Sequence, residues 1–401
     1  MERNLGIGVC AVALSLTACG GGGGSGTSQG LGPPVSTSLY QEVSALSLPQ
    51  GALNGMCMDA RHGDVDGDGD LDLVLAQEFS TNLLLRNDGS GNFSVTLGDV
   101  VGGDGDNEDL LLQDFDNDGD LDMFTVHEDD RIHAFLLNDG QGRFTDASNR
   151  IAVSSIANAA EAIDLNNDGR LDVILGNRGT NLVLLQDANG TFNTDLTRPV
   201  GTQPTQDLLL FDADGDTDMD LFIANEGLNR LLINNGNGFF NDETTVRLGF
   251  EARESRQADA ADIDNDGDLD LVLGNVSFSL NSLPSNQLLI NDGTGVFTDE
   301  TDTRLPEFNN QASSFTVHFV DLDSDGDADI LSPSNNLGNG GSVSAWINDG
   351  TGQFTAPTTS VFSAEPSGSL FDIEVADFNG DGNADLYFCY RTGTDQLYFR
   401  Q

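Results

Sequence analysis

The sequence predicts an all-β fold of seven repeated units, each a four-stranded antiparallel sheet, closed into a ring. Three observations lead there. An Asp-rich nonapeptide recurs about every fifty residues; each copy is followed by apolar strands and a tight hairpin; and the seventh unit lacks a strand that a segment near the start can supply.

The nonapeptides are DVDGDGDLD from Asp64, DFDNDGDLD from Asp114, DLNNDGRLD from Asp164, DADGDTDMD from Asp212, DIDNDGDLD from Asp262, DLDSDGDAD from Asp321 and DFNGDGNAD from Asp377, at steps of 50, 50, 48, 50, 59 and 56 residues. Each runs into a strand such as LDLVLA (71–76), LDVILG (171–176) or LDLVLG (269–274). A polar turn, another strand and a hairpin follow: NDGSGNF (87–93), NDGQGRF (138–144), QDANGTF (186–192), NNGNGFF (234–240), NDGTGVF (291–297) and NDGTGQF (348–354). Asn, Asp and Gly supply the positive φ angles that such turns need. With the apolar stretch before each Asp cluster, for example 314–320, every unit offers four strands. Units of this length and strand count describe the blades of a β-propeller.

The two ends support closure. After the seventh nonapeptide, DQLYFRQ (395–401) supplies a third strand but no hairpin or fourth strand. YQEVSALSLP (40–49) matches the fourth-strand segment FTDETDTRLP (297–306), and both lie equally far before the next Asp cluster. Tyr40–Val43 is therefore expected to pair beside Leu397–Arg400, completing the last blade and leaving no open sheet edge.

Charge excludes several partners. The 401 residues include 66 acidic and 16 basic side chains, a formal net charge of −50. Phosphate backbones and anionic lipid surfaces would repel such a chain, so nucleic acid is not an expected partner. Dispersed acidity would suggest disorder, but here the acids sit in clusters between strand-like runs.

Residues 1–18 read as a signal peptide, with Arg3 before an apolar stretch too short to span a bilayer. The following LTACG (16–20) resembles the lipobox of bacterial lipoproteins, which implies lipidation of Cys19 and, with Gly20 next, outer-membrane placement. The Gly/Ser-rich run through residue 38 reads as a flexible tether, leaving 39–401 for the propeller.

The nonapeptide resembles the DxDxDGxxD signature of the FG-GAP, or VCBS-type, repeat family, whose best-known fold is the propeller of integrin α-subunits. The resemblance implies one Ca²⁺ per loop, held by side chains at positions one, three, five and nine and by the carbonyl at seven. The side chains so implied are Asp64, Asp66, Asp68 and Asp72; Asp114, Asp116, Asp118 and Asp122; Asp164, Asn166, Asp168 and Asp172; Asp212, Asp214, Asp216 and Asp220; Asp262, Asp264, Asp266 and Asp270; Asp321, Asp323, Asp325 and Asp329; and Asp377, Asn379, Asp381 and Asp385. The carbonyls come from Asp70, Asp120, Arg170, Asp218, Asp268, Asp327 and Asn383. Independently of the family, hard oxygen donors at alternating positions suit Ca²⁺, and Gly at position six permits the sharp turn. Two carboxylates about 5 Å apart repel by about 0.8 kcal/mol even in water, so a loop of four should resist folding without a cation. An EF-hand would need Glu at position twelve, where these loops place Leu75, Thr125, Leu175, Ile223, Leu273, Ser332 and Phe388. Arg170, Asn166 and Asn379 reduce the charge of the third and seventh loops and should weaken binding. Thr217 replaces Gly in the fourth and should be strained.

No recurring Ser, Cys or His arrangement suggests a nucleophile, so no catalytic residue is expected. His127, Glu128, Asp129, Asp130, Arg131 and His133 gather at one turn and read as a solvated loop tip. Such turns share the face opposite the Asp loops, where related propellers usually bind; Arg131, Arg178, Phe278 and Asn336 are the contacts expected there. Cys57 and Cys389 lie where adjacent blades could bring them together, as a disulfide or as two buried thiols. The expected role is an envelope-anchored, Ca²⁺-bound module for adhesion to a glycan or protein. The alternatives are a polysaccharide lyase or hydrolase on the same scaffold, or a structural subunit of an envelope complex.

Overall fold

A computed structural model describes residues 38–401 except 52, 54–55, 97–99, 103–104, 130–132, 250–251, 277–285, 306–313 and 335–340. The signal segment, Cys19, the tether, Arg131, Phe278 and Asn336 lie outside the described residues.

Each repeat folds as consecutive antiparallel strands. In the third, Ala157–Ile163 pairs with Asp172–Asn177, which pairs with Leu182–Gln186 and then Phe192–Thr194. The first strand is innermost: Ala60 N–H, on one inner strand, donates to Asp372 on another, and Leu110 N–H to Asp59 on the first. The second strand is buried throughout, as in DLVLAQ (Asp72–Gln77) and DVILGN (Asp172–Asn177). This explains their nearly continuous apolar runs: with a neighbouring unit against each face, neither face can be polar.

The core accordingly lies between units. Phe115, Phe124 and Phe135 of the second meet Phe192 of the third, with Phe135 and Phe192 edge-to-face at 5.2 Å. Leu73, Leu85 and Phe93 of the first pack with Phe378, Tyr387 and Leu397 of the seventh.

Tyr40–Glu42 pairs antiparallel with the strand Gln396–Arg400, Tyr40 opposite Arg400 and Glu42 opposite Tyr398. Val43 N–H extends the ladder to the Leu397 carbonyl at 2.9 Å. The helix Ser44–Ser47 then takes the place that Thr244–Arg247 and Thr301–Arg304 hold after the outer strands of the fourth and fifth units. One departure from separate blades is that Gly341 and Ser342 pair with Gly368 and Ser367, joining the sixth and seventh sheets. Cys57 and Cys389 form a disulfide with Cα atoms 5.3 Å apart.

Candidate metal centres

Each nonapeptide links the inner strand to the second strand of its unit and folds by internal hydrogen bonds. In the first loop the Asp64 carboxylate accepts from Gly67 N–H at 2.8 Å and Gly69 N–H at 3.1 Å, and Asp68 accepts from Asp70 N–H at 3.0 Å. Position six is left-handed in every loop, from φ 76° at Thr217 to 101° at Gly119, so Thr217 carries the expected strain. Position four is left-handed too, at Gly67, Asn117, Asn167, Gly215, Asn265, Ser324 and Gly380. Only Gly and small polar residues occupy it, because Asn and Asp-like side chains tolerate that region better than bulky ones.

Position nine is the anchor. Asp72 accepts Val65 N–H at 3.1 Å and Asn87 N–H at 2.9 Å, tying the loop to the third strand. Asp122, Asp172, Asp220, Asp329 and Asp385 each accept two backbone N–H groups in the same way. Burial nevertheless pushes these carboxyls up, to about 6 at Asp72 and Asp172 and about 7 at Asp122, Asp220, Asp270, Asp329 and Asp385. Position-seven side chains lie over their own hairpins. A Cβ on Gly89, Gly140 or Gly236 would stand 2.6 Å from Asp70, Asp120 or Asp218, so a larger residue there would displace that carboxylate; the third hairpin, whose position seven is Arg170, carries Ala188 instead.

The donor set fits a divalent cation. Oxygens of Asp64, Asp66 and Asp72 lie within 4.8 Å of one another, as do those of Asp114, Asp116 and Asp122, of Asp212, Asp214 and Asp220, and of Asp262, Asp264 and Asp266. At position three, Oδ1 of Asp66, Asn166, Asp214 and Asp264 is buried and makes no hydrogen bond within the protein. Such an oxygen costs about 1–3 kcal/mol unless something pairs with it. In the third loop Arg170 binds Asp168 and donates to the Gln186 carbonyl at 3.0 Å, so a cationic side chain already occupies part of that cluster.

An FG-GAP-like repeat profile matches residues 64–125, 114–175, 164–216, 212–273, 277–332 and 336–388. The chain belongs to the FG-GAP-like repeat family. Among solved structures, this FG-GAP chain is similar to an Agrocybe aegerita lectin described as recognising non-reducing terminal N-acetylglucosamine, at 17% identity over 86% of this chain and 88% of the lectin, TM-score 0.50. It is similar to BBS1N in its complex with ARL6DN at 10% identity over 91% of this chain and 98% of the other, TM-score 0.53. A third neighbour is the extracellular domain of BT4673 from B. thetaiotaomicron, at 10% identity over 91% of this chain and 40% of that one, TM-score 0.52. At these identities the likeness is one of fold, a β-propeller. No curated protein matches the sequence.

The FG-GAP units also meet through polar groups that no motif announces. Five residues before each loop, the inner strand carries Asp59, Asp109, Ala159, Asp207, Gln257, Thr316 or Asp372. Four of these carboxylates accept the N–H of the next inner strand: Asp59 from Leu110 at 3.0 Å, Asp109 from Ala160 at 2.8 Å, Asp207 from Ala258 at 2.9 Å and Asp372 from Ala60 at 3.0 Å. Arg61 pairs with Asp59, with Asp109 at 3.2 Å and with Asp372 at 3.8 Å. Burial raises Glu161 to about 8 and Asp207 to about 7, with Asp109 adding repulsion to both. At His318, burial opposes the charge, but the Asp372 hydrogen bond and the Asp372 and Asp259 charges outweigh it and raise the imidazole. Aligning the flanks of the nonapeptides, not only their interiors, would have revealed the row of acids.

Six residues before the sixth and seventh loops, Phe315, just ahead of the strand His318–Val320, and Phe371, within the strand Ser367–Ala376, stack at 4.7 Å and 19°. Arg256 lies over Phe315 at 5.6 Å and Arg391 over Phe371 at 5.5 Å. Of the four contacts expected on the face opposite the Asp loops, Arg178 is described; it is 57% exposed and pairs with Glu128 at 3.2 Å. The solvated loop tip is corrected at its histidines. His127 and His133 are buried and stacked at 6.0 Å, and His133 Nε2 bonds Ser155 Oγ at 2.9 Å. Burial, with His127 beside it, lowers His133 to about 3. They fill the join between the second unit and the link to the third.

Proposed function

We propose that this FG-GAP propeller is a Ca²⁺-binding recognition module of a bacterial envelope, tethered through Cys19, that captures a glycan or protein on the surface opposite its Asp loops. The observation that carries the reading is the stacked pair Phe315 and Phe371, both partly exposed, flanked by Arg256 and Arg391. Flat apolar faces beside guanidinium groups suit a sugar ring or an aromatic side chain, which gain stacking area with little ordering cost. A bound cation would neutralise each carboxylate cluster. The chain's own part is to hold Asp64, Asp66, Asp68 and Asp72, and their counterparts, in loops already stapled by Asp72-type anchors. Rigid loops fix the inner strands and so preorganise the opposite surface. The lectin neighbour, described as recognising N-acetylglucosamine, places that sugar among the ligands to test first.

The test is binding of the full chain to arrays of glycans and matrix proteins in millimolar Ca²⁺, with and without chelator. A specific hit that chelation weakens and that Phe371→Ala abolishes supports the reading. No hit from a Ca²⁺-loaded chain would move the weight to a structural subunit with a dedicated envelope partner. Fewer than about three tightly held Ca²⁺ per chain would contradict the preorganisation argument. The inner acids give a polysaccharide-active enzyme its one specific support, since Glu161 stays protonated near neutral pH. Release of shortened products from bound glycans would favour that reading.

A further inference from the structure

Position three of the loops carries an asymmetry. Asp66, Asp214 and Asp264 each leave Oδ1 buried without a hydrogen bond, while Oδ2 binds an arginine. Arg247 Nη2 lies 3.0 Å from Asp214 Oδ2, Arg304 Nη1 lies 3.0 Å from Asp264 Oδ2, and Arg86 pairs with Asp66. The arginines reach this spot from different elements. Arg86 comes from the strand Asn82–Asn87, whereas Arg247 and Arg304 end short helices, each held by a glutamate four residues earlier at 2.7 Å. Their side chains are 21%, 13% and 15% exposed, so solvent screens them only partly.

The same guanidinium groups also donate to the hairpin of the next unit: Arg86 to the Gly142 carbonyl at 3.1 Å, Arg247 to that of Thr294, and Arg304 to that of Thr351 at 3.1 Å. The third unit separates the two roles. There position three is the uncharged Asn166, and Arg198 keeps the hairpin contact, to the Gly238 carbonyl at 2.8 Å, but turns its charge to Asp195 outside the loop. A staple between units therefore needs only the hairpin contact. The loop contact is made at the carboxylates Asp66, Asp214 and Asp264 and is missing at the amide Asn166; among the described residues, Asp116 and Asp323 form no ion pair with an arginine.

We propose that Arg86, Arg247 and Arg304 are built-in counter-cations of the first, fourth and fifth loops. Each neutralises the position-three carboxylate through one oxygen, steadies the loop when no divalent ion is bound, and lowers the affinity for such an ion at the other oxygen. The inference rests on the reading of the loops as Ca²⁺ sites. A guanidinium and a divalent ion on opposite oxygens of one carboxylate repel, and even with water's dielectric constant this corresponds to about a tenfold change in affinity. Orientation of the aspartate acts in the opposite direction but is the smaller effect.

The test follows hydrogen exchange of loop 262–270 by mass spectrometry while Ca²⁺ is titrated into the full chain, alongside thermal unfolding in chelator and in saturating Ca²⁺. For Arg304→Gln the Ca²⁺ midpoint of that loop should fall about tenfold, with the melting temperature lowered in chelator and little changed with Ca²⁺. Arg304→Lys, which keeps the charge, should restore the wild-type midpoint. Arg198→Gln, which removes a staple alone, should lower the melting temperature equally in both conditions and leave every loop midpoint unchanged. An unchanged midpoint in Arg304→Gln with equal destabilisation in both conditions would make Arg304 a staple only, and a raised midpoint would make it an orienting residue; either overturns the proposal. If no wild-type loop gains protection with Ca²⁺, the reading of the loops as Ca²⁺ sites falls first.

Discussion

Cys57 and Cys389 are bonded to each other across 332 residues of sequence. The bond joins the inner strand of the first unit to the second strand of the seventh, beside the Arg391 and Glu78 ion pair, and so reinforces the junction that the chain crosses as it passes from Tyr40–Glu42 on the seventh sheet to Cys57. Closing so long a loop restricts the unfolded chain, and native disulfides contribute about 2–5 kcal/mol. Replacing both cysteines by serine should lower the melting temperature by several degrees. Thiol titration of the unfolded, unreduced wild type should find neither Cys57 nor Cys389 free; two reactive thiols would contradict the bond.

The strand Tyr40–Glu42 covers the edge of Gln396–Arg400. Deleting residues 39–49 should expose that edge, and unpaired edges recruit other chains. Size-exclusion chromatography should show oligomers or aggregates. A monomer with an unchanged melting temperature would show that the ladder contributes nothing to closure.

Thr217 holds φ 76°, where the other six loops place glycine. A β-branched residue there costs on the order of 1–3 kcal/mol, and glycine gives part of that back as unfolded-state entropy. Thr217→Gly should therefore stabilise the protein by about 1 kcal/mol in thermal unfolding with Ca²⁺ present. A loss of stability would mean that the threonine side chain makes a compensating contact.

Glu161 gives a pH dependence with a definite sign. Its carboxyl is raised by burial, then by Asp109 and Asp207, from an ordinary value of 4.5 to about 8. A raised acid contributes stability that is fully present below 4.5 and is lost as pH climbs through about 8, because the unfolded chain ionises first. In saturating Ca²⁺, the wild type should lose stability between pH 5 and 8.5, and Glu161→Gln should flatten that slope by on the order of 2 kcal/mol. Parallel profiles for the two proteins would place the titration elsewhere.

The loops, hairpins and closing strand were legible because the loops repeat a local rule seven times and the hairpins six, while the closing strand matches another copy residue by residue. Asp64 and Gly69 belong to one turn, and Tyr40 aligns with Phe297. Asp59, Asp109, Asp207 and Asp372 were not read, since each accepts an N–H from a different unit, a partner that no spacing within its own unit records. Arg86 and Arg304 escaped for a related reason: they reach equivalent places from a strand and from a helix, so no spacing links them. His127 and His133 sit in a run of charges that reads as solvated, yet packing with the next unit buries both. The disulfide was undecided because strand positions do not fix the separation of two Cα atoms.

Ser44 Oγ accepts the Leu397 N–H at 2.8 Å although the two are 353 positions apart in sequence. A chain made in order from its first residue produces Tyr40–Glu42 early and must keep that strand unpaired while six complete units are built beside it. Assembly therefore has a late, nonlocal step that no earlier contact can replace, and such steps are slow because the whole intervening chain has to be in place first. Any truncation before Leu397, whether by a stalled ribosome or a protease, leaves two unmatched edges instead of one finished sheet, and those edges alone distinguish an incomplete molecule from a finished one.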